Sequence, residues 1–375
     1  MIFPKPRSFI PVYDLDISNY SKKLANNAIN SGWISANGKY VNDFEQCFSK
    51  IFNGFNACAT TNGTTALDLA LKACGVNEKS TVVVPSFTYI ATINAIRYQN
   101  ATPLFVDINN DNWQIDLEIL EKIDSEKAQF ILLPHIYGAS CDMDKLEKII
   151  KKKKWILIED CAEALGSNFG KKKLGQYGEC SIFSFFGNKT ISTGEGGMII
   201  SKKKKIIEYC KFLKSHSMSQ KKRYWHTEVG YNYRMTNIVA ALGVGQIKDL
   251  DKTIQRKNLL HERYKKALSD LPIIFQSKEK EQLFWVTSIV FKNSIDRKKV
   301  TNLLDLNQIG WRPLFYPAHQ MPMYKNFEFI KTKDLTSQLC KRGIILPSYP
   351  SIRKVDFKKV VRTIRSYFKE NKSKN

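Results

Sequence analysis

At 375 residues, 43% hydrophobic and 25% charged, the sequence has the composition of a soluble enzyme and the length for a large core in one or two domains. No apolar run reaches membrane-spanning length, Pro4, Pro6 and Pro11 break up any signal-peptide core, and eight scattered cysteines without a CxxC pair or zinc spacing point to a cytoplasmic protein with reduced thiols and no metal. The net charge of +24 invites a nucleic-acid reading, but the lysine runs 151–154, 171–173 and 202–205 lack interleaved aromatics and a recognition motif, so they read as solvated surface whose field favours anionic partners, with no nucleic acid and no membrane.

Residues 1–17 read as extended and proline-rich, 17–31 as a helix, 31–38 as a turn and 41–52 as a second helix. A short strand over 55–60 runs into Asn62-Gly63-Thr64-Thr65, which opens an apolar helix over 66–73. Glycine and hydroxyl residues at a helix start make an anion site, although an ordinary threonine cap has the same appearance. Strand 81–85 leads through Ser86–Tyr89 to helix 90–98. Of the two aromatics there, Phe87 reads as core, and an aromatic at such a strand end can stack on a flat ring. Strands over 102–107 and 129–134 follow, the second ending at His135, a residue that reads either as structural or as part of a pocket. Helix 142–153 precedes an apolar strand that ends in Glu159-Asp160. Ligands of parallel sheets bind outside the carboxyl ends of strands, so Asp160 can hold a protonated ring nitrogen or merely cap a helix. Residues 166–178 read as a polar loop with a hairpin.

The apolar run 182–186 ends at Gly187-Asn188-Lys189, and the glycine-rich turn 192–197 leads to the apolar run 198–200. Lys189 therefore sits just past a strand, either solvated or held beside a carbonyl cofactor as a Schiff-base lysine; the glycines, which let backbone approach a ligand, favour the second. Alternating strands and helices through residue 200 predict an α/β fold with a mainly parallel sheet and helices on both faces, and no GxGxxG follows a strand to suggest a nicotinamide site. Helix 202–214, a basic loop over 215–223 and Gly230-Tyr231-Asn232-Tyr233-Arg234 precede a helix over 236–250. From 251 the character changes to a smaller α+β unit, with helix 253–268, strand 284–291, helix 297–304, strand 311–316, helix 357–368 and a frayed tail over 369–375. The expected division is 1–250 for the large α/β domain and 251–375 for the smaller C-terminal α+β domain.

EDCAEALGS (159–167), SFFGNKTISTGEGG (184–197) and VGYNYRMTN (229–237) closely resemble the DegT/DnrJ/EryC1/StrS family of nucleotide-sugar aminotransferases. The resemblance runs from about Asn37 to Tyr324, through NGTTALDLAL, VPSFTYIATINAI and RPLFYPAH, and its several motifs fall in the right order. It implies the fold-type I aminotransferase fold with pyridoxal 5'-phosphate (PLP) as cofactor and glutamate as amino donor. By that resemblance Lys189 is the catalytic residue and holds the cofactor, Asp160 partners its ring nitrogen, Tyr89 stacks on the ring and Glu163 lies beside its phenolic oxygen. Gly63, Thr64, Thr65 and Ser184 bind the cofactor phosphate. Asn232 reaches the phosphate of the neighbouring subunit, which makes a homodimer with shared active sites. His135, Tyr316 and His319 are the expected substrate-binding residues.

Within the family, Glu163, RYWH (223–226) and FYPAHQMPMY (315–324) resemble the branch that aminates C4 of a GDP-linked 4-keto-6-deoxy sugar, GDP-4-keto-6-deoxymannose, for lipopolysaccharide O-antigen biosynthesis. Glu163 stands where much of the family has Gln or His. Two anions in contact repel, so Glu163 is either protonated or faces an amine or a sugar hydroxyl. The alternatives are an enzyme of the same family making a C3- or C4-amino sugar on UDP or dTDP, a PLP-dependent sugar dehydratase, which has a His in place of the lysine, and a non-catalytic regulatory relative. The nucleotide and the stereochemistry of the amine stay open.

Overall fold

The structure, a computed structural model, describes residues 9–277 and 281–372. Helices α1 (Asn19–Asn30) and α2 (Lys39–Ile51) lead into β1 (Asn56–Thr60), α3 (Gly63–Ala73), β2 (Thr81–Pro85), α4 (Ile90–Tyr98), β3 (Thr102–Val106), α5 (Leu117–Lys122) and β4 (Phe130–Pro134). Then come α6 (Met143–Lys153), β5 (Ile156–Asp160), the hairpin β6 (Asn168–Phe169) and β7 (Lys172–Lys173), β8 (Cys180–Ser184), β9 (Gly197–Ser201), α7 (Lys204–Leu213) and α8 (Asn237–Ile247). The remainder is α9 (Leu250–Leu268), β10 (Ile273–Phe275), β11 (Ser288–Phe291), α10 (Ser294–Leu306), β12 (Arg312–Pro313), β13 (Phe329–Ile330), α11 (Leu335–Arg342), β14 (Gly343–Ile345) and α12 (Lys354–Lys372).

The large sheet has eight strands in the order β1-β9-β8-β5-β4-β2-β3-β13. All pairs from β8 to β13 are parallel; β9 runs antiparallel to both β1 and β8. Its strands read as unbroken apolar runs because both faces are covered. Alternation along β2 shows this directly: Val83 faces one core with Phe44, Phe48 and Phe183, while Val82 and Val84 face the other with Leu67, Ile158 and Ile182. From β2 the chain moves to β3 on one side and then to β4 on the other, so the strand order reverses between β2 and β4, the position where α/β sheets open a binding crevice.

The smaller sheet, β10-β11-β14-β12, is antiparallel throughout. Helices α9, α10 and α12 pack on it through Leu260, Tyr264, Val300, Leu304, Val360 and Ile364. Two segments cross the division expected after residue 250. Ile10 bridges to Ile309 and is buried in the smaller unit's core, and β13 adds to the large sheet beside β3.

Some boundaries differ from the expectation for identifiable reasons. The strand expected over 284–291 begins only at Ser288, because the backbone N–H of Phe284 donates to Asn258 and that of Trp285 to the carbonyl of Tyr137. The strand expected over 311–316 is reduced to β12, since Phe315 turns away to pack on Tyr137. Helix α12 runs on to Lys372, through most of the tail expected to fray, while 373–375 and the start of the proline-rich segment, 1–8, lie outside the described residues. Among the described residues no helix is long and apolar enough to cross a membrane.

Candidate active site

The carboxyl ends of β2, β4, β5 and β8 open on one cavity of about 370 Å³, closed from the other side by Lys257, Trp285, Arg312 and Phe315 of the smaller unit and by Val12 and Tyr13. Asn62 caps α3. Its side chain accepts the N–H of Thr65 (2.9 Å) while the Thr65 hydroxyl takes the N–H of Asn62 (3.2 Å). That capping box leaves the N–H groups of Gly63 and Thr64 to the cavity, at the positive end of the helix. Gly63 is required by close approach: a Cβ there would lie 2.8 Å from the Cβ of Ser184. Ser184, the last residue of β8, is thereby seated against the helix start, and its hydroxyl joins the same wall.

Asp160, the last residue of β5, is buried. Its Oδ2 accepts from the Thr92 hydroxyl (2.8 Å) and its Oδ1 from the Ala162 N–H (3.1 Å). Burial raises its pKa, with these bonds and then the charges of Lys189 and His135 opposing the rise. Glu163, in the turn after β5, accepts the Tyr137 N–H at Oε2 (2.8 Å) and faces the Lys189 Nζ with Oε1 at 3.4 Å. It thus faces an amine in this structure. Burial still holds its pKa up, and Lys189 pulls it down. The Lys189 Nζ stands 4.2 Å from the centre of the Trp285 ring, and the Trp285 Nε1–H donates to the carbonyl of Asn188 (2.8 Å), which pins the turn that presents the lysine.

Behind these residues lies a brace. Glu159 accepts N–H bonds from Gly175 (2.8 Å), Tyr177 (2.8 Å) and Gly178 (2.7 Å). Although burial acts against it, bonds from His135 and these amides hold its pKa below the usual value. An ionised Glu159 can only accept, so the Nε2 of His135, 2.9 Å away, carries the proton and donates. Nδ1 of His135 is buried without a partner. His135, Glu159 and Cys161 place three potential metal ligand atoms within 4.8 Å of one another. Both Glu159 oxygens are already occupied by donors, and burial pushes the Cys161 thiol well up, so the cluster serves as a hydrogen-bonded support.

These residues fit PLP. A helix start with free N–H groups and two hydroxyls suits a phosphate. Tyr89, 57% exposed and lining the cavity, offers a ring face. Asp160 is a buried carboxylate whose raised pKa a pyridinium would relieve, and Lys189 presents an amine.

Of the sequence-predicted residues, Gly63, Thr64, Tyr89, His135, Asp160, Glu163, Ser184 and Lys189 converge on the cavity. Thr65 does not line it; its hydroxyl is spent in the capping box, and Asn62 lines the cavity instead. Neither Tyr316 nor His319 lines it. Tyr316 points outward at 60% exposure. The His319 ring lies 2.7 Å from the Ser86 hydroxyl through Nδ1 and stacks on Phe329 at 3.8 Å, so it ties β13 to the end of β2. Asn232 is exposed, away from this chain's cavity, and accepts from Arg234 (3.0 Å). Thr92, Trp285 and Lys257 were missed. Thr92 and Lys257 lie inside helices whose spacing marks only a core face, and Trp285 read as part of a strand.

The DegT/DnrJ/EryC1/StrS aminotransferase family matches residues 16–365. The GDP-perosamine synthase of Escherichia coli O157:H7 is 39% identical over 363 residues, 96% of this chain and 99% of that one. The Vibrio cholerae enzyme of the same name has the same identity and coverage. Among solved structures, Helicobacter pylori PseC, an aminotransferase involved in the biosynthesis of pseudoaminic acid, superposes with a TM-score of 0.91 at 22% identity, covering 96% of this chain and all of that one.

Proposed function

The chain belongs to the DegT/DnrJ/EryC1/StrS aminotransferase family, and from that premise we propose that it transfers the amino group of glutamate to C4 of a GDP-linked 4-keto-6-deoxy sugar, giving an amino sugar for a surface polysaccharide. The enzyme is an aminotransferase and its cofactor is PLP. The observation that carries the substrate reading is the 39% identity to two GDP-perosamine synthases over nearly the full length of both chains.

When bound, the cofactor supplies the carbonyl that takes up the amino group and the ring that draws electron density from the reacting carbon. The protein does the rest. Asp160, fixed by Thr92 and Ala162, holds a ring nitrogen in its protonated form. Gly63, Thr64 and Ser184 hold the phosphate. The Lys189 Nζ takes the proton from the amine-bearing carbon of the donor and delivers one to C4 of the sugar. Glu163, at 3.4 Å, keeps that amine in place and can share its proton.

The site is shared between two copies of the chain. Asn232 is exposed, and the loop before it carries Tyr224, Trp225 and Val229 at 74%, 53% and 82% exposure, apolar surface that a second copy would cover. Purified protein given glutamate and GDP-, UDP- or dTDP-linked 4-keto-6-deoxy sugars, with products read by mass spectrometry, tests the reading. Fastest conversion of the GDP-linked sugar is expected; faster conversion of another nucleotide would replace the substrate while leaving the reaction class intact.

A further inference from the structure

Among the described residues two lysines are equally hidden, and only one has an anion. Lys214, 8% exposed, contacts Glu45 at 3.3 Å and the carbonyl of Ala59 at 2.7 Å. Lys257, 7% exposed on α9, donates to a single acceptor, the carbonyl of Trp285, at 3.0 Å. Among the described residues no carboxylate pairs with it. An ammonium has three N–H donors, and a buried cation without a counter-ion is costly, so the site is built to receive an acceptor that carries negative charge.

Its position narrows what that acceptor is. Lys257 lines the main cavity and a second one of about 310 Å³, and both cavities also touch Asn188 and Lys189. Trp285 joins the two lysines: its carbonyl holds Lys257 and its ring faces the Lys189 Nζ. Beside them the Oδ1 of Asn188 is buried with no partner, an acceptor free for an N–H. The interior therefore offers a cation and a bare acceptor next to the reacting amine. A small amino acid has the matching pair, a carboxylate one bond from the carbon that bears its ammonium.

We propose that Lys257 anchors a carboxylate of the amino donor, with Asn188 Oδ1 accepting from the donor's amine. This rests on the glutamate-dependent reading above. Burial first, and then the charge of Lys189, lower the pKa of Lys257 to about 8. When the acid leaves, the lysine gives up its proton more readily than an exposed lysine, and a neutral sugar can follow into the same space.

Calorimetric titration of glutarate, a dicarboxylate with no amine to give, into the PLP-loaded protein tests the anchor directly. Lys257→Met should bind glutarate at least tenfold more weakly than the wild type. The wild-type affinity should fall as pH rises through about 8 more steeply than that of the variant. In separately measured half-reactions, the loss of kcat/KM toward glutamate should exceed the loss toward the keto sugar by at least tenfold. Unchanged glutarate affinity in Lys257→Met, or equal losses in the two half-reactions, would overturn the assignment. Should Lys257→Met not fold, Lys257→Gln takes its place, and a wild-type glutarate affinity that stays flat from pH 7 to 9.5 decides against the anchor on its own. The titration and the glutamate half-reaction need no sugar, so an error in the sugar assignment leaves them readable.

Discussion

Lys257 gives up its proton at about pH 8 in the folded chain, whereas an unfolded lysine keeps it to about 10.5. Between those values the unfolded state binds more protons, so stability rises with pH; below 8 the cost of the buried charge is present in full. With about 1.4 kcal/mol per unit, that cost reaches roughly 3 kcal/mol. Lys257→Met, without cofactor, should therefore be the more stable protein at pH 7 by up to about 3 kcal/mol, the gap closing between pH 8 and 10.5. Denaturant melts of both proteins across that range would show it, and a gap that ignores pH would remove the explanation. Lys189→Ala should leave the protein colourless with PLP, whereas the wild type should be yellow and, after borohydride, carry the cofactor on the Lys189 peptide; trapping on another lysine would refute the role. What was legible at this scale followed local context. Lys189 and Asp160 stand at strand ends beside glycines or turns, and strand ends face ligands. Lys257 is one lysine among 59 Lys+Arg, and nothing in its helical spacing marks its burial.

An element's end can be read only as well as its length allows. The apolar runs of β2, β4 and β5 were clear in the sequence, because strands covered on both faces carry few polar residues. Six-residue α5 and two-residue β13 carry too little periodic signal, and β13 owes its existence to pairing with β3 from far away in sequence. That pairing gives His319 a packing role the sequence did not show: β13 supplies Phe329 for its ring to stack on. His319→Ala should cost about 1–3 kcal/mol in a thermal or denaturant melt, since it leaves Ser86 without its ring partner, and should depress both half-reactions alike. A loss confined to the sugar would return His319 to the substrate site. At the start of α3, Gly63→Ala drives a Cβ to within 2.8 Å of the Ser184 Cβ, so helix and strand must part. We expect PLP to be retained at least tenfold less tightly, with about 1–3 kcal/mol of stability lost; equal PLP affinity by equilibrium dialysis would show that the phosphate does not depend on this contact.

For the molecule as a whole, the parallel sheet and the placement of the site at its carboxyl edge were readable from alternating strands and helices. The partnership of the chain's two ends was not, because an isolated bridge such as Ile10 to Ile309 has no local pattern. If Asn232 serves the neighbouring copy, mixing Lys189→Ala with Asn232→Ala protein under conditions that exchange subunits should restore part of the activity, since one site of each mixed dimer is intact. A fully active monomer in sedimentation would exclude shared sites. The bridge at Ile10 also bears on synthesis at the ribosome. Strands β1 to β9 are complete once residue 201 has emerged, yet Ile10 must wait for its partner nearly three hundred residues later. At roughly 5–20 residues per second that interval is about 15–60 s. Val12 and Tyr13, which wall the cavity, stay unanchored through it, as do the walls contributed by Trp285 and Phe315. The carboxyl edge of the nascent sheet, complete at residue 201, thus stands open for about 5–20 s until residue 309 emerges, a window in which PLP can be loaded before the chain closes over it.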